Sequence, residues 1–317
     1  MEKRNIFILN PAAGQGKAVE LKDDILKAAK ELSLDVEIYH TKEELYGEVL
    51  ANQLAKTATK YKPIRLFACG GDGTLNEILN GIVGYEHVEV GVLPLGTGND
   101  FVRNFSSPSD FLNIKNQLLG ESVDTDIIKY RWDKDDYHCE RYCINMFNIG
   151  FDCNVVDAAA HLKKRPMVSG SMAYLAGVVQ MLIKMKGANL KVEFENGSVF
   201  EDKMLLIAIA NGCFCGGGVK GVPKAVTNDG FMDVSIVKTC SRSKFLKLFP
   251  RYMKGTHLET KAAKDLVIYK KCKTLSLTKR EEPIMFSTDG EITYADSISF
   301  EIKPKEVKFI VPKFNSH

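Results

Sequence analysis

Chemistry is concentrated in the stretch Gly70-Gly71-Asp72-Gly73-Thr74-Leu75-Asn76-Glu77. Its three glycines let a backbone approach a ligand closely. Thr74, followed three residues later by Glu77, reads as a capping box at the start of a helix. A helix N-terminus beside exposed backbone N–H groups binds anions, phosphate above all. Asp72 is the odd member, because a carboxylate repels phosphate unless a metal lies between them or the group handles a proton. The combination suggests a nucleotide with its metal; a tight glycine turn with a capping threonine is the alternative reading of the same stretch. Two further loops repeat the theme, Asn10-Pro11-Ala12-Ala13-Gly14-Gln15-Gly16-Lys17 and Leu95-Gly96-Thr97-Gly98-Asn99-Asp100. The first lacks Walker A spacing, since Ala18 follows Lys17, so it is either a plain strand-to-helix turn or a second phosphate contact with Lys17 as a point charge. The second again carries an aspartate, Asp100. Far along the chain, Asp289-Gly290-Glu291 sets two carboxylates two positions apart. In an extended segment they face the same side and can divide metal handling from proton acceptance. The same three residues also suit a turn in a solvated hairpin.

Each glycine loop follows an apolar run. Residues 4–10, 64–69 and 88–94 read as short buried strands, and 35–39 alternates as another. Helices are expected over about 19–32, 43–60 and 75–82. Strands alternating with helices give right-handed βαβ units and a parallel sheet. Loops at the carboxyl ends of such strands share the edge where these folds bind ligands. Beyond about residue 125 the texture changes. Segments 126–130, 137–150, 190–194, 203–211, 232–238, 265–269, 274–278, 284–287 and 297–302 read as strands, with helical stretches near 171–186 and 243–254. That pattern predicts an antiparallel, sandwich-like second domain.

With 317 residues, two domains are expected. Residues that are 45% hydrophobic and 26% charged are ordinary for a chain with its own cores. A net charge of +3 gives no global electrostatic case for nucleic acid, which is not expected as a partner. The eight cysteines contain no Cys-x-x-Cys pair; Cys213 and Cys215 are the closest and have no second cluster, so reduced thiols are expected rather than zinc. Residues 1–5 lead into too short an apolar run for a signal peptide. The uncharged stretch 166–183 reaches spanning length but contains Ser169, Gly170, Ser171, Gly177 and Gln180, so a buried or interfacial helix is expected there and no transmembrane span.

Taken together, Asn10-Pro11-Ala12-Ala13-Gly14, Gly70 to Glu77 and Pro94-Leu95-Gly96-Thr97-Gly98-Asn99-Asp100 resemble the diacylglycerol kinase catalytic-domain family, which includes bacterial soluble lipid kinases and sphingoid-base kinases. Asn228-Asp229-Gly230-Phe231-Met232-Asp233 and Asp289-Gly290-Glu291 look like that family's second-domain metal motif and catalytic motif. The resemblance runs from residue 5 to about 312. It implies an α/β nucleotide-binding domain with a parallel sheet over 1–125 and a β-rich domain over 126–304. It also implies an active site in the interdomain cleft and a final segment, about 305–317, returning to the first domain. ATP would lie against Asn10, Pro11, Ala12, Ala13, Gly14, Thr41, Gly70, Gly71, Asp72, Gly73, Thr74, Leu75, Asn76 and Thr97. Lys17, Glu77, Gly96, Gly98 and Asn99 join the candidate nucleotide site. Glu291 would accept the proton of the lipid hydroxyl, with Asp289 close by, and Asp72 and Asp100 complete the candidate catalytic carboxylates. A structural magnesium would take the Asp229 side chain and the carbonyls of Val226 and Phe231.

The reaction so implied is ATP plus diacylglycerol to ADP plus phosphatidate, by a cytoplasmic enzyme visiting the membrane. Rivals are a kinase for another lipid alcohol, such as a sphingoid base or monoacylglycerol, an NAD kinase, which the Gly-Thr-Gly-Asn-Asp loop fits poorly, and a non-catalytic nucleotide or lipid sensor. The resemblance also allows a homodimer. Lys163-Lys164-Arg165 before the uncharged stretch, and Arg242, Lys244, Lys247, Arg251 and Lys254 in a second helical stretch, are either solvated helix faces or surfaces that rest on anionic lipid. Met172, Tyr174, Leu175, Val178, Met181 and Leu182 suit an acyl-chain groove or a core equally.

Overall fold

The computed structural model describes residues 3–42, 45–151, 153, 187–289 and 291–313. The uncharged stretch 166–183, the basic triplet before it and the candidate acyl-chain residues lie outside the described residues. The chain forms two compact units. One holds the residues up to Asp126 and those from Lys305 onward; the other is Ile127–Pro304.

The first unit is built on a parallel sheet. Its strands are β1 (Arg4–Leu9), β2 (Val36–His40), β3 (Ile64–Gly70) and β4 (Val88–Pro94), in the order β2-β1-β3-β4. β1, β3 and β4 are buried almost throughout, which is why they read as continuous apolar runs instead of alternating ones. Phe7 and Phe67 stack at 4.7 Å on adjacent strands. Helices α1 (Lys17–Leu32), α2 (Tyr46–Ala55) and α3 (Asp72–Ile82) follow β1, β2 and β3. α2 is shorter than the expected 43–60. After Ala55 the N–H groups of Thr57 and Ala58 bond back three residues, and the Thr57 hydroxyl also donates to the Leu54 carbonyl, closing the helix. A short helix, α4 (Ile114–Leu118), presents the Leu118 carbonyl to Arg65, a buried guanidinium also paired with Glu89 at 3.2 Å.

The second unit is antiparallel. It contains most of β5 (Glu121–Lys134), then β6 (Tyr137–Cys143), β7 (Met146–Gly150), β8 (Ala188–Phe194), β9 (Val199–Ala210) and β10 (Met232–Lys238). Helices α5 (Arg242–Met253) and α6 (Lys261–Leu266) precede β11 (Val267–Cys272), β12 (Thr274–Lys279), β13 (Ile284–Thr288), β14 (Glu291–Ala295) and the first part of β15 (Ser297–Val311). The strand order is β14-β13-β7-β9-β8-β12-β15, with β10 and β11 branching from β9. The core gathers Tyr130, Trp132, Phe147, Phe286 and Phe300. A smaller cluster packs Phe245 and Tyr252 of α5 against Phe151, Leu205 and Ala208.

Three expectations are corrected here. Residues 137–150 make two strands, because the Asn145 carbonyl accepts the N–H groups of Asn211 and Gly212 and so leaves the ladder. Residues 265–269 begin as α6, capped by the Thr260 hydroxyl, before β11 starts. Segment 297–302 and the start of the returning final segment are one strand, β15, with Lys305 at φ 54° and its N–H donated to Asp126. The last residues of β15 pair in parallel with β4, Lys308 beside Glu89 and Phe309 beside Val90.

Candidate active site

In the first unit the three glycine loops leave the carboxyl ends of β1, β3 and β4, neighbouring strands whose ends lie together. They are tied to one another. Asn10 donates its side-chain amide to the Thr74 hydroxyl at 3.0 Å, and its oxygen accepts the Ala12 N–H. Asp72 accepts the Asp100 N–H at 2.9 Å. Gly71 and Gly96 meet backbone to backbone: a Cβ on Gly96 would stand 2.6 Å from the Gly71 Cα. The glycines are needed at this contact for space.

α3 starts at Asp72, directly after the strand, with Gly71 extended at its N-cap and no side-chain cap. The expected capping box is therefore absent. Thr74 already lies inside the helix and turns to Asn10, while Glu77 accepts the Gly47 N–H at 3.0 Å. No side-chain cap competes for the first N–H groups of α3, which is the setting in which a helix start binds phosphate. Pro11, Ala12 and Thr97 are exposed, and Gly71, Gly73, Gly96 and Gly98 are half-buried, so these residues form the accessible rim. Leu75, Asn76, Asn99 and Asp100 are buried, and Leu75 belongs to the core. Thr41 is buried beside the first loop, its N–H donated to Leu9. Lys17 opens α1.

The two aspartates of the loops face inward. Burial pushes the Asp72 pKa up, against the opposing pull of backbone N–H groups from Asn99, Asp100 and Phe101. Asp100 lies 3.6 Å from the Arg103 guanidinium, which also donates to the Gly98 carbonyl. Asn99 sits at φ 51°, its amide donated to the carbonyls of Pro94 and Gly96. In this arrangement Asp72 and Asn99 act as struts between and within loops. Arg103 was not singled out from the sequence; a basic residue one turn beyond Asp100 was the available signal.

In the second unit, Asp289 and Glu291 do not share an extended face. Thr288 pairs with Glu291 across β13 and β14, so the chain turns back directly after Asp289, where left-handed backbone is tolerated. Asp289 has φ 47°. Its carboxylate accepts the Met146 N–H at 3.2 Å and the Cys143 thiol at 3.4 Å. Burial, with Asp289 adding to it, raises the Cys143 pKa and keeps that thiol a donor. Glu291 is exposed at the head of β14. The hairpin thus holds the Asp289 carboxylate inward, while Glu291 is an exposed residue.

At the candidate metal loop, Asp229 accepts the Phe231 N–H at 3.1 Å and is paired with Lys271. Lys271 also lies 3.0 Å from Asp233, which is fully buried. Burial lowers the Lys271 pKa, but its bonds to the two carboxylates outweigh this and raise it. Burial likewise pushes Asp233 up. A carboxylate with backbone carbonyls is a hard-oxygen set that suits magnesium, although an ion there would share Asp229 with Lys271. Among the described residues no group of three or more histidines, cysteines and acids could hold a metal.

Residues 4–130 match the diacylglycerol kinase catalytic domain, and residues 145–311 match the YegS C-terminal NAD kinase beta sandwich-like domain. A diacylglycerol kinase of Staphylococcus carnosus is 28% identical over 92% of this chain and 89% of its own. One of Staphylococcus aureus (strain bovine RF122 / ET3-1) is 31% identical over 92% and 87%. The crystal structure of a diacylglycerol kinase from Bacillus anthracis superposes with a TM-score of 0.68 at 21% identity, covering 97% of this chain and 96% of that one, which shows the fold. With both halves matched in order and a curated relative above 30% identity over most of each chain, the protein belongs to the diacylglycerol kinase catalytic-domain family of lipid kinases.

Proposed function

We propose that this protein transfers the γ-phosphate of ATP to the free hydroxyl of diacylglycerol, giving phosphatidate and ADP. The observation that carries the reading is the bound set of three glycine loops around the uncapped start of α3. Phosphoryl transfer needs positioning and charge stabilisation more than covalent chemistry, and this set offers fixed backbone donors. The phosphates lie along the backbone of residues 10–14, 70–74 and 96–98, with Lys17 as a point charge. Asp72 and Asp100 keep the loops in register instead of touching phosphate. The acceptor oxygen forms a bond to the γ-phosphorus, the bond from that phosphorus to the β–γ bridging oxygen breaks, and the hydroxyl proton passes to Glu291.

Glu291 suits that role because it is the solvent-facing carboxylate of its hairpin, while Asp289 holds the turn. Magnesium bound with ATP would supply charge neutralisation on the phosphates. A second ion would be held by Asp229 with the Val226 and Phe231 carbonyls, and would brace the loop that leads into β10. Eight free cysteines fit a cytoplasmic enzyme. No described helix is long and apolar enough to cross a membrane. Glu291→Gln tests the assignment: ATP binding by calorimetry stays at the parental value while turnover falls roughly 10²–10⁴-fold, the usual share of a general base. Parental turnover in that variant moves the base to another residue.

A further inference from the structure

The solvent side of α5 carries two stripes. Phe245, Leu248 and Tyr252, spaced i, i+3, i+7, are buried against the core. Leu246, Pro250 and Met253 form a neighbouring stripe that stays exposed, Leu246 at 54% and Met253 at 41%. Beyond it run Lys244, Lys247, Arg251 and Lys254, all exposed, with Arg242 at the helix start. The helix holds five cations including Lys254 at its C-cap, and no acid. Among the described residues none of Lys244, Lys247, Arg251 and Lys254 is in an ion pair. Lys244, Lys247 and Arg251 also line a groove of about 300 Å³ against Thr260 and Asp265.

Exposed cations on a surface helix are ordinary; an unpaired cationic stripe running beside an exposed apolar one is the pattern of a helix that lies in a bilayer interface. We infer that α5 is the surface by which this protein rests on an anionic membrane. Leu246, Pro250 and Met253 enter the headgroup–acyl boundary while Lys244, Lys247, Arg251 and Lys254 meet lipid phosphates. Charge complementarity names the partner, and the apolar stripe distinguishes it. A bilayer offers phosphate and hydrocarbon a few Å apart, matching both stripes at once, and the lipid-kinase reading already brings the protein to one. The inference deepens the lipid-kinase reading, which supplies the reason to dock, but its evidence is the helix itself.

The test is co-sedimentation of the full chain with phosphatidylcholine vesicles, with and without phosphatidylglycerol. Binding is expected to the anionic vesicles and to weaken with salt. Lys247→Gln/Arg251→Gln/Lys254→Gln is expected to weaken it roughly a hundredfold, taking the usual surface contribution of each cation. Leu246→Ser/Met253→Ser is expected to weaken it several-fold while keeping the salt dependence. Both variants should melt with the parent, and both should phosphorylate a short-chain diacylglycerol in detergent micelles at the parental rate. Parental vesicle binding by the charge variant overturns the inference, and so does a Leu246→Ser/Met253→Ser variant that binds unchanged. Absence of phosphoryl transfer in micelles by every form, parent included, overturns the kinase reading and leaves the vesicle result to decide the docking surface.

Discussion

His257 is fully buried, its ring tilted 52° to that of Tyr252 with the centroids 5.0 Å apart. Burial lowers its pKa from 6.5 to about 4. The unfolded chain therefore binds a proton through a pH range in which the folded one does not, and stability rises with pH there. The contribution is complete above about pH 6.5 and is lost as pH falls toward 4. His257→Phe should flatten the fall in melting temperature over that window relative to the parent; parallel curves for the two proteins contradict it. At the candidate metal loop, Asp229 has its charge met by Lys271. Asp229→Ala removes the proposed magnesium ligand and also leaves Lys271 with the buried Asp233 alone. The expected result is weaker magnesium binding by calorimetric titration together with a lower melting temperature. A titration indistinguishable from the parent removes the ion from this loop.

Among elements, the contact between the second and third glycine loops is the one with least freedom, since backbone meets backbone at Gly71 and Gly96. Gly96→Ala forces the loops apart at a cost of about 1–3 kcal/mol of overpacking. The expected outcome is nucleotide binding weakened tenfold or more, with Thr97→Ala on the same rim much milder. Equal, parental affinities in both variants mean that the nucleotide does not depend on this joint. The strand–loop–helix units around it were legible because parallel strands covered on both sides are continuous apolar runs. The cap of α3 was not. Thr74 and Glu77 have capping-box spacing, but an extended Gly71 lets the helix begin two residues before Thr74, and Asn10 and Gly47 then use those side chains. The 289–291 turn failed for a related reason. Spacing by two puts carboxylates on one face only if the backbone is extended, and Asp289 is left-handed. That Asp72 is a strut depends on Asp100, 28 residues away, a partnership that no local pattern encodes.

At the scale of the whole molecule, the two units carry the two halves of the proposed reaction, the phosphate loops in one and the Glu291 hairpin in the other. The architecture could be read from the change in texture near residue 125, because a parallel sheet needs intervening helices and an antiparallel one does not. Strand ends such as Asn145 and the bend at Lys305 could not, since each is set by a partner distant in sequence. The central claim is phosphoryl transfer from ATP to diacylglycerol. Its most direct test is transfer of labelled γ-phosphate by the purified full chain, with magnesium, to lipids in mixed micelles. The panel holds diacylglycerol, monoacylglycerol, ceramide, a sphingoid base and undecaprenol, with NAD as a soluble control. The account predicts labelled phosphatidate from diacylglycerol and no labelled NAD. Label on another lipid instead would contradict the assigned acceptor, and bound ATP with no labelled product would contradict the reaction itself.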